Sequence, residues 1–345
     1  MSPDHSDPLT PSDPVAPSDP AAPAVDPTDP IDVLDAGDLA RSAGEPRTRV
    51  VVFGDVLDDV IVTAATPAAT GTDTEALIRH RAGGAAANTA AWLGSLGGEV
   101  DFVGRVGVSD RHRHAQLLAD AGVLPRLSYD AHDPTGTVVI TVEGEVSSMF
   151  TDRGASAALD PDDVPDELLE SAAVLHVTGY SVVHSRTPVR LRRLMTRARE
   201  AGAAVSVDPG SSGFIGRFGV AAFLDAIDGA DLFFASPAEG RLLTGLDDEH
   251  GIATALAERF GVVCLVQDDG GAVLARHGRS VVDVPSVTTR VVDPVGVGDA
   301  FAAGFIDSWR TTRKPGVAAR RGARAAARAF AVAGGRPPAR RRRLY

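Results

Sequence analysis

The chain has 345 residues, 44% of them apolar and 23% charged, a globular composition that excludes a fibrous, collagen-like or wholly disordered protein. No apolar run approaches the roughly eighteen residues of a membrane span, and no basic stretch followed by an apolar one reads as a secretory leader. The single cysteine, Cys264, rules out an intrachain disulfide and a thiolate zinc cluster, and these features together point to the cytoplasm.

The net charge of −12 is unevenly spread. Residues 1–46 carry ten carboxylates and one arginine, which leaves only −3 on the rest of the chain. They also hold ten of the 23 prolines. Such a segment buries too little apolar surface to offset its chain entropy, so it reads as a disordered acidic Pro-rich tail, extended in part as polyproline II. After Asp307 there are twelve Lys or Arg residues and no acid, and residues 336–345 read as a basic tail. Arg340–Arg343 has no interleaved aromatics, so no nucleic-acid partner is expected.

Order is expected from about Arg47. Arg49–Phe53 is an apolar run closed by Gly54 and reads as a buried strand. An alanine-rich helix follows over Asn88–Leu96, then a strand over Val100–Val106 and a helix over Arg111–Ala121. Thr137–Val142 and Glu145–Phe150 form a hairpin around Glu143-Gly144. Strands at Val174–Val177, Ala204–Val207, Asp231–Ala235 and Val262–Val266 alternate with helices at Pro188–Ala201, Pro237–Leu243 and His250–Phe260. Asp299–Arg310 and Gly316–Ala333 close the domain as helices. This alternation implies a mostly parallel sheet with helices on both faces. Residues 60–80 fit it poorly. With residues 135–150 they form a small β excursion, suited to a lid over a cleft.

The most informative stretch is Val291-Val-Asp-Pro-Val-Gly-Val-Gly-Asp-Ala-Phe-Ala-Ala-Gly-Phe305. A β segment runs into two glycines, Gly296 and Gly298, and Asp299 stands at a helix start. Successive N–H groups there, from Gly296, Val297 and Gly298 onward, form an anion site aided by the helix dipole. A carboxylate at its edge can take a proton from an attacking hydroxyl, the arrangement phosphoryl transfer needs. The alternative is an aspartate cap after a glycine turn.

A second motif, Arg81-Ala-Gly-Gly-Ala-Ala-Ala-Asn-Thr-Ala-Ala-Trp-Leu-Gly-Ser-Leu-Gly97, lies about 200 residues upstream. With both motifs in this order, the chain resembles the ribokinase-like carbohydrate kinases of the phosphofructokinase-B type, from about Arg49 to Gly335. The resemblance implies a three-layer α/β/α domain over residues 47–335, with a mostly parallel central sheet and a small β lid. It implies an ATP-dependent kinase acting on a hydroxyl of a sugar such as ribose, fructose or 2-keto-3-deoxygluconate, or of a nucleoside such as adenosine or pseudouridine. By the same resemblance Asp299 is the base, and Asp59, Gly83, Gly84, Asn88 and Glu145 hold the acceptor, with Asp55 as a second candidate beside Asp59. Ser236 and Glu239 serve nucleotide and magnesium, Glu239 through water. Mg·ATP is the implied cosubstrate, a monovalent cation remains open, and a homodimer paired through the lid is the expected assembly.

Some positions depart from the family pattern. Ser236 replaces an asparagine, Val297 an alanine, and Leu265-Val-Gln267 stands where Thr-x-Gly is common. Ala85 occupies a position that is lysine in ribokinases proper. The departures at Ser236, Leu265 and Gln267 motivate a second reading, a non-catalytic sugar- or nucleoside-binding protein that kept the fold. A dinucleotide oxidoreductase is set aside, since Gly54-Asp-Val-Leu-Asp is no Gly-x-Gly-x-x-Gly. No Walker motif occurs either. No basic cluster adjoins Asp59 or Gly83-Gly84 in sequence, which points to an unphosphorylated acceptor. Asp208 serves either magnesium or a loop cap, Cys264 reads as a buried small hydrophobe, and His112 and His114 as surface residues. Arg320, Arg321, Arg324 and Arg328 fall on helical spacing, and serve either surface acids or nucleotide phosphate.

Overall fold

The computed structural model describes residues 31, 34, 47–64, 66, 70–143, 146–183, 188–279 and 281–338. Strand β1 (Arg49–Phe53) leads into two strands of the small sheet, β2 (Leu57–Ala64) and β3 (Ala76–Gly83), then helix α1 (Ala85–Ser95). Next come β4 (Val100–Gly107), α2 (Arg111–Asp120) and β5 (Val123–Asp130), followed by the small-sheet hairpin β6 (Thr135–Glu143) and β7 (Val146–Gly154). The second half runs β8 (Ala172–Thr178), α3 (Pro188–Glu200), β9 (Ala204–Asp208), β10 (Leu232–Ala235), α4 (Pro237–Thr244), α5 (Glu249–Ala257) and β11 (Val262–Val266). The strands β12 (Ala272–Arg276) and β13 (Val282–Val284) and the long helices α6 (Val297–Thr312) and α7 (Pro315–Phe330) complete it.

Nine strands form one sheet in the order β13-β12-β11-β10-β9-β8-β1-β4-β5. All neighbours are parallel except β11–β12 and β12–β13. Both faces are covered, and the strands show it residue by residue. In β1, Val50 and Val52 join the core beneath α1, α6 and α7, while Val51 and Phe53 join the core beneath α3, α4 and α5. Strands buried on both faces read as continuous apolar runs rather than alternating ones, which is why β1, β8, β10 and β11 are visible in the sequence. β5 is not visible there. It lies at the sheet edge, contains Pro125 and buries few of its side chains.

The small sheet has the order β3-β2-β6-β7 and projects from the end of β1. Its register is continuous from Leu57↔Gly136 to Thr63↔Val142. The expected excursion is therefore present, and its strands reach residues 57–64, 76–83, 135–143 and 146–154. Its base is clamped to the main domain. Arg113 on α2 donates to both carboxylate oxygens of Asp58 on β2, at 2.8 and 2.5 Å, and to Asp110 at 2.9 Å.

Two boundaries differ from expectation. Ile31 and Leu34, assigned to a disordered tail, are buried in the core that contains α7. Leu34 O accepts a hydrogen bond from Arg276, and Gly316 leaves room for Ile31, since a Cβ there would meet Ile31 O at 2.4 Å. Both stand within an acidic, proline-rich segment, so average composition hides them. At the other end, Arg336–Pro338 belong to the folded domain rather than to a tail. Leu34→Ala should cost about 2 kcal/mol in urea unfolding, a typical value for a truncated core leucine. An unchanged unfolding midpoint would return this residue to the tail.

Candidate active site

The C-terminal ends of the parallel strands point to one cleft, where ligands bind in open α/β sheets. Two helix N-termini enter it, those of α1 and α6. At α1, Asp55 acts as a distant cap: its carboxylate accepts from Ala85 N at 3.1 Å and Ala86 N at 3.3 Å. Thr178 and Arg153 also donate to it, at 3.2 and 3.3 Å. Asp55 is thus committed to organising the backbone. This cap comes from 30 residues away and starts the helix three residues before the expected Asn88. Gly84 adopts φ 91° and sits against Asp55 and Val56 backbone, so a side chain there is barred twice.

Asp59, by contrast, makes no hydrogen bond among the described residues. It is only 7% exposed, and its carboxylate lies over Gly83, where a Cβ would come within 2.3 Å of it. Burial raises the Asp59 pKa to about 6; Arg336 opposes the rise, and Asp55 and Asp58 add to it. A buried carboxylate with unused lone pairs suits hydroxyl donors from a polyol.

At α6 the glycine turn is built as the motif suggests. Gly296 has φ 78° and caps the helix, and a Cβ on it would collide with Gly335 Cα at 2.6 Å. The first helical bond there is donated by Ala300 N to Gly296 O, so the Gly298 and Asp299 amides precede the ladder and remain available to an anion. Val297 N instead donates a long 3.4 Å bond to Pro294 O. A Cβ on Gly298 would meet nothing within 4 Å. Gly298 therefore borders open space, and Val297 turns its side chain into the core.

The two N-termini meet through side chains. Asn88 Nδ2 donates to Asp299 Oδ2 at 2.9 Å, joining residues 211 positions apart. Burial raises the Asp299 pKa to about 7; the Asn88 bond lowers it, and Asp55 and Asp59 raise it further. A carboxylate poised near neutrality beside free amides can accept a proton and stabilise a transferring anion together.

The far side of the cleft carries Asp208 and Glu239. Burial raises both pKa values, and for Asp208 the charges of Glu239 and Asp299 add to it. Ser236 and Glu239 form a capping box on α4: Ser236 Oγ accepts from Glu239 N at 3.3 Å, and Glu239 accepts from Ser236 N at 2.7 Å. Serine can thus replace asparagine here without loss of the cap. Asp208 also accepts from Gly210 N at 2.8 Å, the loop cap that is one of the two roles expected of it. Among the described residues, no three carboxylate, histidine or cysteine side chains come close enough to cage a metal.

The family model for pfkB family carbohydrate kinases matches residues 47–341. The chain belongs to this family. An ATP-dependent ribose-1-phosphate kinase of Halopiger xanaduensis is 32% identical over 246 residues, covering 69% of this chain and 78% of its own. Fructokinase-1 of Zea mays is 32% identical over 273 residues, covering 75% and 82%. The crystal structure of adenosine kinase from Sinorhizobium meliloti has a TM-score of 0.75 at 25% identity, covering 85% of this chain and 96% of its own. The protein is accordingly an ATP-dependent carbohydrate kinase with the ribokinase-like fold. No helix among the described residues is long and apolar enough to cross a membrane.

In this pfkB kinase several expected positions fall elsewhere. Glu145 lies outside the described residues, as does Arg340–Arg343. Gln267 turns away to Glu249, with Nε2 donating at 2.7 Å. His112 is exposed, but His114 is fully buried, with Nε2 3.4 Å from Asp58, so only one of that pair is a surface residue. One site residue was hidden: Arg336. Its Nη2 donates to Gly83 O at 2.8 Å and its Nε makes a longer 3.4 Å contact with Asn88 Oδ1. It follows two glycines and precedes two prolines in a stretch that composition marks as a basic tail.

The Asp299 pKa predicts the acid limb of the rate profile. Because a raised carboxylate is protonated as pH falls, kcat/KM should drop below about pH 7. Asn88→Ala removes a donor that favours the ionised form, so the limb should move to higher pH. A limb that stays in place would separate Asn88 from the ionisation of Asp299.

Proposed function

We propose that this kinase transfers the γ-phosphoryl group of Mg·ATP directly to a hydroxyl of a small sugar or nucleoside, with Asp299 as the general base. The observation that carries this reading is the Asn88–Asp299 bond, which sets the base at the junction of the two helix N-termini. The acceptor lies along Asp59, Gly83, Gly84 and Asn88. Its reacting hydroxyl gives its proton to Asp299 as the oxygen attacks. The Gly298 and Asp299 amides receive the charge on the moving phosphoryl group.

A magnesium ion bound with the nucleotide would supply neutralisation of phosphate charge. The buried pair Asp208 and Glu239 fits a nearby dication, since each carboxylate lacks a cationic partner among the described residues and burial disfavours its charge. With no direct cage, these residues would act through metal-bound water. The non-catalytic alternative loses one of its motives, because Ser236 keeps the helix cap with Glu239.

The exposed apolar side chains Leu77, Ile78, Met149 and Phe150 on the small sheet support pairing of two lids in a homodimer. The cytoplasm is the compartment this reading expects.

Purified protein should release ADP from Mg·ATP with at least one member of a panel of pentoses, hexoses, keto-deoxy acids, sugar phosphates and nucleosides. Asp299→Asn should lower kcat roughly 10²–10⁴-fold, the usual worth of a positioned base, with little change in acceptor affinity. Turnover retained in that variant would remove Asp299 from the chemistry. Asp59→Ala should instead act on the acceptor KM, and an unchanged KM would place the acceptor elsewhere.

A further inference from the structure

A side-chain amide can stand either way round, and for Asn88 the two orientations are chemically opposite. With Nδ2 toward Asp299, as here, it donates to the carboxylate at 2.9 Å and favours the charged base. With Oδ1 there, two acceptors would face each other unless Asp299 carried a proton.

The turn after α7 touches both ends of that amide. Arg336 Nε makes its 3.4 Å contact with Asn88 Oδ1, while Nη2 is anchored at 2.8 Å on Gly83 O. A guanidinium carries only donors, so it takes the amide oxygen and refuses the amide nitrogen. Gly335 packs against the same group: a Cβ on it would come within 2.4 Å of Asn88 Nδ2 and 3.0 Å of Cγ. The turn is itself held at two further points. Gly334 N donates to Asp293 at 2.9 Å, and Gly335 O accepts from Trp92 Nε1 at 3.0 Å, one helical turn beyond Asn88 on α1.

Arg336 faces protein. Its Nη1 is buried and has no hydrogen-bond partner, and a pKa pulled down by burial to about 10 still leaves it a cation at neutral pH. A guanidinium placed only to balance charge would sit on a carboxylate, as Arg113 does on Asp58. Arg336 instead bonds two neutral oxygens, one of them in the amide beside the base. Among the described residues, the titratable groups that interact with Asp299 are Asp55 at the end of β1, Asp59 on β2, Asp208 at the end of β9, the Tyr180 phenol and Arg336. Of these, Arg336 is the one that favours the ionised base.

We propose that Arg336 and Gly335 are positioning residues, which hold the Asn88 amide with its oxygen toward the guanidinium and its nitrogen toward Asp299. Neither touches the reacting atoms. The proposal rests on the general-base reading for its effect on rate, whereas the orientation belongs to the protein without ligand.

Carboxyl NMR of protein labelled with 13C-aspartate reads the ionisation of Asp299 without turnover, its signal identified by loss in Asp299→Asn. Arg336→Met removes the donors at similar volume. It should raise the Asp299 midpoint by about one pH unit, the worth of a hydrogen bond to a charged group. Gly335→Ala keeps the cation but crowds the amide, and should raise the midpoint as well. In an Asn88→Ala background, where the amide is gone, Arg336→Met should move the midpoint by less than half as much. An equal shift there would overturn the proposal, because Arg336 would then act as a charge alone. A wild-type midpoint in either variant, with melting temperatures showing that it folds, would overturn it too. The rate profile separates this from the base reading. If Asp299 is the base, the acid limb of kcat/KM follows the midpoint in Arg336→Met, giving roughly a fivefold loss at pH 7 that is recovered by about pH 9. A midpoint that moves while the limb stays would leave the positioning role intact and remove Asp299 from the limb.

Discussion

One hydrogen bond, from Asn88 to Asp299, holds the site together, because it fixes the spacing between the helix that receives the acceptor and the helix that receives the phosphate. Each partner is immobilised by its own surroundings. Asn88 is buried on α1, whose N-terminus is held by Asp55 from the end of β1. Asp299 follows a glycine turn that can form only because Gly296 and Gly335 pack backbone to backbone. The central sheet thus supplies the rigidity, and the reactive groups stand where its strands end.

That arrangement concentrates carboxylates. Asp55, Asp59, Asp208, Glu239 and Asp299 crowd a part-buried cleft, and burial is the largest cause that raises the pKa of Asp59, Asp208, Glu239 and Asp299. Asp55 takes two helix amides, a hydroxyl and Arg153. The remainder are under-compensated in the protein by itself. A folded state of this kind favours ligands that bring hydroxyl donors to Asp59, a proton to Asp299 and a dication toward Asp208 and Glu239. The same physics that makes the site costly makes it selective and reactive.

Much of this was legible in the sequence, and the rest was hidden for a common reason. The buried strands, the lid and the Gly296–Asp299 turn are local patterns, carried by residues adjacent in the chain. The resemblance supplied Asn88 and Asp59. What local pattern could not supply was long-range: the Asp55 cap that begins α1 early, the burial of Ile31 and Leu34 beside α7, and the return of Arg336 to Gly83. Edge strands such as β5 were missed because they bury little and so carry no strong periodicity. His114 was misread because its burial depends on the lid strand that brings Asp58 over it.

The central claim is that Asp299 faces the reacting hydroxyl. A crystal structure with an acceptor and a non-hydrolysable ATP analogue tests it most directly. The account predicts an acceptor hydroxyl about 3 Å from an Asp299 carboxylate oxygen and in line with the γ-phosphate, with the Asn88 bond retained. A hydroxyl directed at another carboxylate, with Asp299 turned away as a simple helix cap, would contradict it.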